Sequence, residues 1–358
     1  MFPFPIQIRP DVAALEAINL NQRFIKGAQT LTDIRREDVR VGPTTKEEVY
    51  REDNLRLYRF TPVSKRLLET PVVIVYALVN RPYLADLQED RSLVRNLLEL
   101  GVDVYLIDWG YAGRADRWLS MDDYINGYID NCIDAVRDRH GLDQINMIGI
   151  CQGGTFSLCY CALHPRKVKN LVTMVTPVDF HVEEGLLNVW AQSLDADLMV
   201  DALGNIPGDF MNLGFVTLKP LRLSVAKYLG LMDHWGDREK LLDFLRMEKW
   251  IFDSPDQAGE AFRQFIKDFY QANKLVKGEV EIGGRRVDLK SITMPVLNLY
   301  GEFDDLVPPR SSLALEQRIG SQDYTALSFP VGHIGMYVSS KVQRDLPPTI
   351  AGWLSQRP

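Results

Sequence analysis

Cysteine and histidine are scarce in this chain, at four and five residues among 358. The cysteines Cys132, Cys151, Cys159 and Cys161 fall close together but without paired C-x-x-C spacing. That argues against a disulfide framework and against a structural metal site. Cationic excess is also missing: 41 Lys and Arg face 48 Asp and Glu, and the formal charge of −7 leaves little to neutralise phosphates. A nucleic-acid partner is therefore disfavoured. No hydrophobic run approaches the roughly 20 apolar residues of a transmembrane helix. The start, Met1-Phe2-Pro3-Phe4-Pro5, lacks the basic and apolar regions of a secretory signal, so a cytoplasmic protein is expected. Internal repeats and low-complexity tracts are lacking too. What is abundant is apolar residue, 46% of the chain, enough for a large core and a substantial insertion.

The first forty residues carry Val12, Leu15, Ile18, Phe24, Ile25, Ala28 and Leu31 at mostly helical spacing, with Asp11 a candidate N-cap. Glu48 to Arg51 and Leu55 to Phe60 read as strands around a polar turn. From Val72 the rhythm changes. Val72 to Tyr76, Val102 to Asp108, Ile145 to Ile150 and Val168 to Val175 are β-branched-rich runs, as strands covered on both faces require. Helical patterns separate them: Asp90 to Leu100, a stripe from Tyr124 to Val136, and Thr155 to His164. This alternation specifies an open α/β sheet. It is lost over 181–290, where helical patterns such as Arg238 to Trp250 and Gly259 to Tyr270 dominate and Gly283-Gly284 marks a hairpin. It resumes with strands Met294 to Gly301 and Tyr324 to Phe329 and a helix from Lys341 to Leu354. The expected organisation is a catalytic core over 1–180 and 291–358, carrying a helical cap over 181–290.

Gly149-Ile150-Cys151-Gln152-Gly153 has the G-x-nucleophile-x-G form of a nucleophile elbow, with cysteine in the usual serine position. It stands between a strand and a helix, where small flanking residues permit the sharp turn that presents the nucleophile. Cys132, Cys159 and Cys161 lie in helical patterns and read as core thiols. A cysteine nucleophile needs a base, and the elbow architecture orders nucleophile, acid and histidine along the chain. His140 and His164 end helices, where interaction with the helix dipole is the simpler role. His181 and His234 sit in or beside the cap. His333, in Gly332-His333-Ile334-Gly335 after the last strand, has the position of the base. The loop Gly301-Glu302-Phe303-Asp304-Asp305 follows a buried strand and supplies the acid; Asp304 is preferred, with Asp305 and Glu302 as competitors that spacing does not eliminate. Backbone N–H groups of Gln152 and of a residue near Val79 are the expected oxyanion donors. A thiol accepts an acyl group from another thioester in a nearly balanced exchange, after which attack by an alcohol is downhill, so cysteine favours acyl transfer to a hydroxyl, with hydrolysis as the alternative.

Longer motifs carry a family resemblance. Val75-Tyr76-Ala77-Leu78-Val79-Asn80-Arg81-Pro82-Tyr83, Tyr105-Leu106-Ile107-Asp108-Trp109-Gly110, the elbow, Asn170 to Phe180, Gly204-Asn205-Ile206-Pro207-Gly208, Arg246 to Asp253 and Gly332 to Gly335 together resemble the catalytic subunit of class III polyhydroxyalkanoate synthases over the full chain. The resemblance implies an α/β-hydrolase fold and a polymerase that joins (R)-3-hydroxyacyl groups, mainly 3-hydroxybutyryl, from coenzyme A into a polyester. It assigns Cys151 as the acylated nucleophile, His333 as its base and Asp304 as the carboxylate that helps activate the attacking 3-hydroxyl. It implies no resident cofactor or metal, coenzyme A entering as thioester substrate. It further implies an E-type partner subunit, a homodimer or larger assembly, and a place at the surface of polyester granules. The chain departs from the pattern at Asp305, where the family often has histidine. Two other readings stand beside it: a cysteine-dependent thioesterase or dienelactone-type hydrolase, and a non-catalytic granule scaffold.

Overall fold

The computed structural model describes residues 10–65, 68–218, 227–232 and 234–358. Helix α1 (Pro10–Asp33) precedes an antiparallel pair, β1 (Lys46–Glu52) and β2 (Leu55–Phe60). The helix already includes Pro10 and Asp11, so Asp11 is not its N-cap. Strand β3 (Val72–Val75) is followed by the short strands β4 (Asp86–Gln88) and β5 (Arg91–Ser92), then α2 (Leu93–Glu99) and β6 (Val104–Asp108). Helix α2 begins later than its apolar pattern suggests, because the Ser92 side chain accepts from the Arg95 N–H and caps it there. A π-helical stretch, Asp123–Ile129, leads into α3 (Asp130–His140), and the expected stripe from Tyr124 to Val136 is buried. Then come β7 (Ile145–Ile150), α4 (Gln152–Leu163) and β8 (Val168–Met174).

Eight strands form one sheet in the order β1-β2-β6-β3-β7-β8, completed by β11 (Val296–Gly301) and β12 (Tyr324–Phe329). The six from β6 to β12 are parallel, and β1 and β2 join antiparallel at one edge. Period-two alternation places Val73 and Val75 in a core with Tyr124, Ile125 and Phe156, while Val72 and Ile74 pack with Leu93, Leu97 and Leu346 on the opposite face. The sheet is thus covered on both sides, which is why its central strands are continuous apolar runs.

Between β8 and β11 the chain leaves the sheet and forms α5 (Leu186–Gln192), α6 (Ala196–Leu203), α7 (Gly208–Leu218), α8 (Lys227–Met232), α9 (Arg238–Phe252), α10 (Gly259–Gln264) and α11 (Lys274–Lys277). A hairpin of β9 (Glu281–Ile282) and β10 (Arg285–Arg286) follows, turned by Gly283 and Gly284 at φ 57° and 70°. Both angles lie in the left-handed region that a tight two-residue hairpin demands. Helices α12 (Pro309–Leu313), α13 (Gly335–Val338) and α14 (Ser340–Ser355) complete the chain.

The chain runs from β3 to its neighbour on one side, β6, and then returns to β7 on the other side. The carboxyl ends of β3 and β7 therefore flank the point where strand order reverses, the crevice in which open α/β sheets bind ligands.

Candidate active site

Cys151 follows β7 directly and caps α4, with φ 54° and ψ −125°. A non-glycine residue in that region is strained and is held only because its surroundings over-determine it. Its N–H donates to the Met174 carbonyl at 2.9 Å, and its carbonyl accepts from Gly154 and Thr155. The flanking glycines are needed for close approach: a Cβ on Gly149 would strike Ser157 Oγ and the Gly154 backbone, and one on Gly153 would strike the Val75 and Tyr76 carbonyls. The turn thus lays the first turn of α4 against the end of β3. Cys151 is half-buried, at the positive end of a twelve-residue helix.

His333 sits in the loop between β12 and α13, with its Nδ1 2.7 Å from Asp304 Oδ2. Asp304 ends the turn after β11, and its other oxygen accepts the N–H groups of Leu306 and Val307, each at 2.9 Å. Its carboxylate is wholly buried. Both oxygens are occupied, so Nδ1–H donates to Asp304 and Nε2 is left as the imidazole's basic nitrogen. Burial opposes a charge on His333, but the Asp304 carboxylate and hydrogen-bonded Cys151 outweigh it and hold the imidazole well above its usual range. The structure therefore brings Cys151, His333 and Asp304 together: His333 is hydrogen-bonded to Asp304, and Cys151 lies near enough to interact with the imidazole. Each Asp304 oxygen is engaged, Oδ2 by His333 and Oδ1 by the loop N–H groups, so the carboxylate lies behind the imidazole.

The competitors fall outside this group. Glu302 and Asp305 are exposed, and Glu302 accepts from Ser328 Oγ. His140 and His164 end α3 and α4; burial lowers both imidazoles, opposed by the carboxylates of Asp103 and Asp130. His140 Nε2 pairs with Tyr105 Oη at 2.8 Å, and His164 stacks on Tyr160 and pairs with Asn126. His181 and His234 are exposed and lie against Tyr270 and Lys240. Cys132, Cys159 and Cys161 are fully buried core thiols; burial pushes the Cys159 thiol up to about 12.

The turn after β3 is held in ways its sequence did not announce. The Leu78 N–H donates to Gln152 Oε1 at 3.0 Å, and the Leu78 carbonyl accepts from Gln257 Nε2 at 2.9 Å. Asn80, at φ 60°, donates to the carbonyls of Trp250 and Ile251 and to Ser254 Oγ. Arg81 pairs with Asp108 at 2.8 Å and donates to the Gly110 carbonyl, while Tyr83 donates to Asp253 and the Trp250 indole donates to the Arg81 carbonyl. The motifs around 80–83, 108–110 and 250–253 are thus one interlocked framework. Three phenols complete the surroundings: Tyr76, Tyr337 and, from the helical segment, Tyr270. Burial raises all three above the usual phenol range, and each lies near enough for the Cys151 charge to add to the effect.

Comparisons with known proteins bear on the fold and the family. Residues 70–339 match the alpha/beta hydrolase fold family, and residues 26–97 match the description "Poly-beta-hydroxybutyrate polymerase (PhaC) N-terminus". Among solved structures, a monoacylglycerol lipase of Paleococcus ferrophilus superposes at a TM-score of 0.50 with 17% identity, over 84% of this chain and 99% of that one. A carboxylesterase structure from Nitrososphaera gargenis gives 0.51 and 16%, over 87% and 98%. These share the fold. Sequence similarity is far closer to the poly(3-hydroxyalkanoate) polymerase subunit PhaC of Synechocystis sp., 59% identical over 100% of this chain and 96% of that protein. The corresponding subunit of Allochromatium vinosum is 54% identical over 99% and 100%. With an elbow cysteine, a His–Asp pair beside it and full-length identity at this level, the chain belongs to the PhaC family of poly(3-hydroxyalkanoate) polymerase subunits.

Proposed function

We propose that this chain polymerises (R)-3-hydroxyacyl groups, principally 3-hydroxybutyryl, delivered as coenzyme A thioesters, with Cys151 carrying the acyl group. The observation that carries the reading is the gathering of Cys151, His333 and Asp304 at the sheet's switch point, in a member of the PhaC family. In the acylation step the Cys151 proton passes to His333 Nε2 and the sulfur attacks the thioester carbon. The carbonyl electron pair moves to oxygen, and collapse of the tetrahedral species expels the coenzyme A thiolate, which takes the proton from His333. The developing oxyanion accepts hydrogen bonds from the Gln152 and Val79 N–H groups. Gln152 is the first residue of α4, so its N–H has no partner within the helix. In the transfer step the 3-hydroxyl of the next unit loses its proton to His333 Nε2, attacks the acyl-Cys151 carbon and forms an oxoester. Cys151 leaves with its proton restored from His333.

The helical segment 181–290 acts as the cap over this site. Tyr270 reaches the surroundings of Cys151 from it, and a cap limits water, which otherwise hydrolyses the acyl-enzyme. An E-type partner subunit and a homodimeric or larger assembly complete the proposal. Leu15, Ile18, Ile25 and Leu31 expose apolar surface along α1, a feature suited to such contacts. No helix among the described residues is long and apolar enough to cross a membrane, and we place the chain in the cytoplasm at the surface of the polyester granules it makes.

Incubation with (R)-3-hydroxybutyryl-CoA tests the reaction. Insoluble ester polymer appearing with coenzyme A release is the expected result. Release accompanied only by free 3-hydroxybutyrate would make the chain a thioesterase, and no release, with or without a co-purified partner, would leave it a scaffold.

A further inference from the structure

We propose that Gln257 is a positioning residue for the oxyanion hole, holding the Leu78–Val79 peptide so that the Val79 N–H faces the reacting acyl group. The inference rests on the reading of Val79 and Gln152 as oxyanion donors. A trans peptide is planar, with the carbonyl of one residue and the N–H of the next pointing in opposite directions. Fixing the Leu78 carbonyl therefore fixes the Val79 N–H. Gln257 does this with its Nε2, 2.9 Å from the Leu78 oxygen. The Val79 N–H itself makes no hydrogen bond among the described residues, and Val79 lies outside any helix or strand.

Gln257 is built to hold one orientation. It is 4% exposed, and its backbone exchanges two hydrogen bonds with Ile206, at 2.8 and 2.9 Å. On the other side of Leu78, Gln152 Oε1 receives the Leu78 N–H. Both peptides flanking Leu78 are thus clamped, one by the residue after the nucleophile and the other by a residue of the helical segment. Without the Gln257 donor the Leu78 carbonyl would be buried unpaired, and rotation of that peptide would carry the Val79 N–H away from the site. Gln257 has no role in moving the proton, so its loss leaves the Cys151–His333–Asp304 chain as it was.

That separation supplies the test. Attack on a thioester builds an oxyanion, whereas alkylation of a cysteine by iodoacetamide is a displacement at saturated carbon that builds none. Gln257→Met keeps the side chain's length and apolar volume and removes the donor; Gln257→Glu keeps the shape and places acceptors against the Leu78 carbonyl. Each variant of the full chain is assayed for coenzyme A release from (R)-3-hydroxybutyryl-CoA and for the rate of Cys151 alkylation, which also reports that the site is folded. The expected result is a fall in kcat of roughly ten- to hundred-fold, with KM and the alkylation rate within about twofold of wild type, because a misplaced oxyanion donor weakens transition-state binding alone. The loss should be larger for the Glu variant. Wild-type kcat in a folded variant would overturn the proposal, as would equal losses in acyl transfer and alkylation, which would place Gln257 in support of the triad. If wild type releases no coenzyme A, or a Cys151→Ala control releases it as fast, the underlying reading of the site fails instead.

Discussion

Asp304→Asn should disable the enzyme through the tautomer of His333, leaving the packing of the loop unchanged. The carboxylate now accepts at both ends: Oδ1 from the Leu306 and Val307 N–H groups, Oδ2 from His333 Nδ1. A carboxamide has one acceptor end. If its oxygen stays with the two backbone donors, its NH₂ faces His333 Nδ1 and the imidazole must carry its proton on Nε2, where no lone pair remains for the Cys151 thiol. Turning the carboxamide over restores the active tautomer but aims an NH₂ at two backbone donors. Two buried N–H groups left unpaired cost about 1–3 kcal/mol each, so the active arrangement lies roughly 2–6 kcal/mol higher. At about 1.4 kcal/mol per decade, acylation slows by roughly 30-fold to more than 10⁴-fold. Single-turnover release of coenzyme A from (R)-3-hydroxybutyryl-CoA measures that step directly, and iodoacetamide alkylation should slow with it because the thiolate also depends on the imidazole. A variant within fivefold of wild type in acylation would refute the tautomer argument.

Further outcomes follow from the same geometry. Asp305→Asn and Glu302→Gln alter exposed carboxylates outside the triad, so steady-state kcat should stay within about twofold of wild type; a loss comparable to that of Asp304→Asn would move the acid's identity. In native protein at neutral pH a thiol reagent should modify Cys151 alone, with Cys132, Cys159 and Cys161 reacting only after denaturation, as peptide mapping would show. Burial lowers His333, but Asp304 and Cys151 raise its folded value well above 6.5, so protonation favours the folded state. That stabilisation is full below about pH 6.5 and is lost as pH rises through the folded value. The Tm advantage of wild type over His333→Gln should therefore shrink on going alkaline, and an advantage that grows would contradict the assignment. Gly153→Ala should lower unfolding stability by about 1–3 kcal/mol or more, read from denaturant midpoints, because its Cβ meets fixed backbone of Val75 and Tyr76.

Much of this site was legible because its signals are local. The elbow is five consecutive residues whose small flanks, strand before and helix after all announce the same turn, and the order Cys151, Asp304, His333 follows the order of the strands that deliver them. Spacing alone left Asp304 beside Glu302 and Asp305, since neighbouring residues of a turn point in different directions; the family resemblance singled it out, and the structure buries it against His333. His140 and His164 stand at helix ends, as their sequence context announces, whereas the tyrosine and asparagine that engage each ring come from elsewhere in the fold. The clamp on Leu78 was illegible for the same reason. Gln257 reaches it across 179 residues of chain, and nothing in a lone glutamine within a loop marks it as the partner of one peptide oxygen.

The central claim is that Cys151 carries the acyl chain. Its most direct test is rapid quenching of the enzyme with (R)-3-hydroxybutyryl-CoA, followed by peptide mass spectrometry. The account predicts 3-hydroxybutyryl and its oligomers as thioesters on the peptide containing Cys151, removed by hydroxylamine and absent from Cys151→Ala. Acyl groups on any other residue, or polymer formed at wild-type rate by Cys151→Ala, would contradict it.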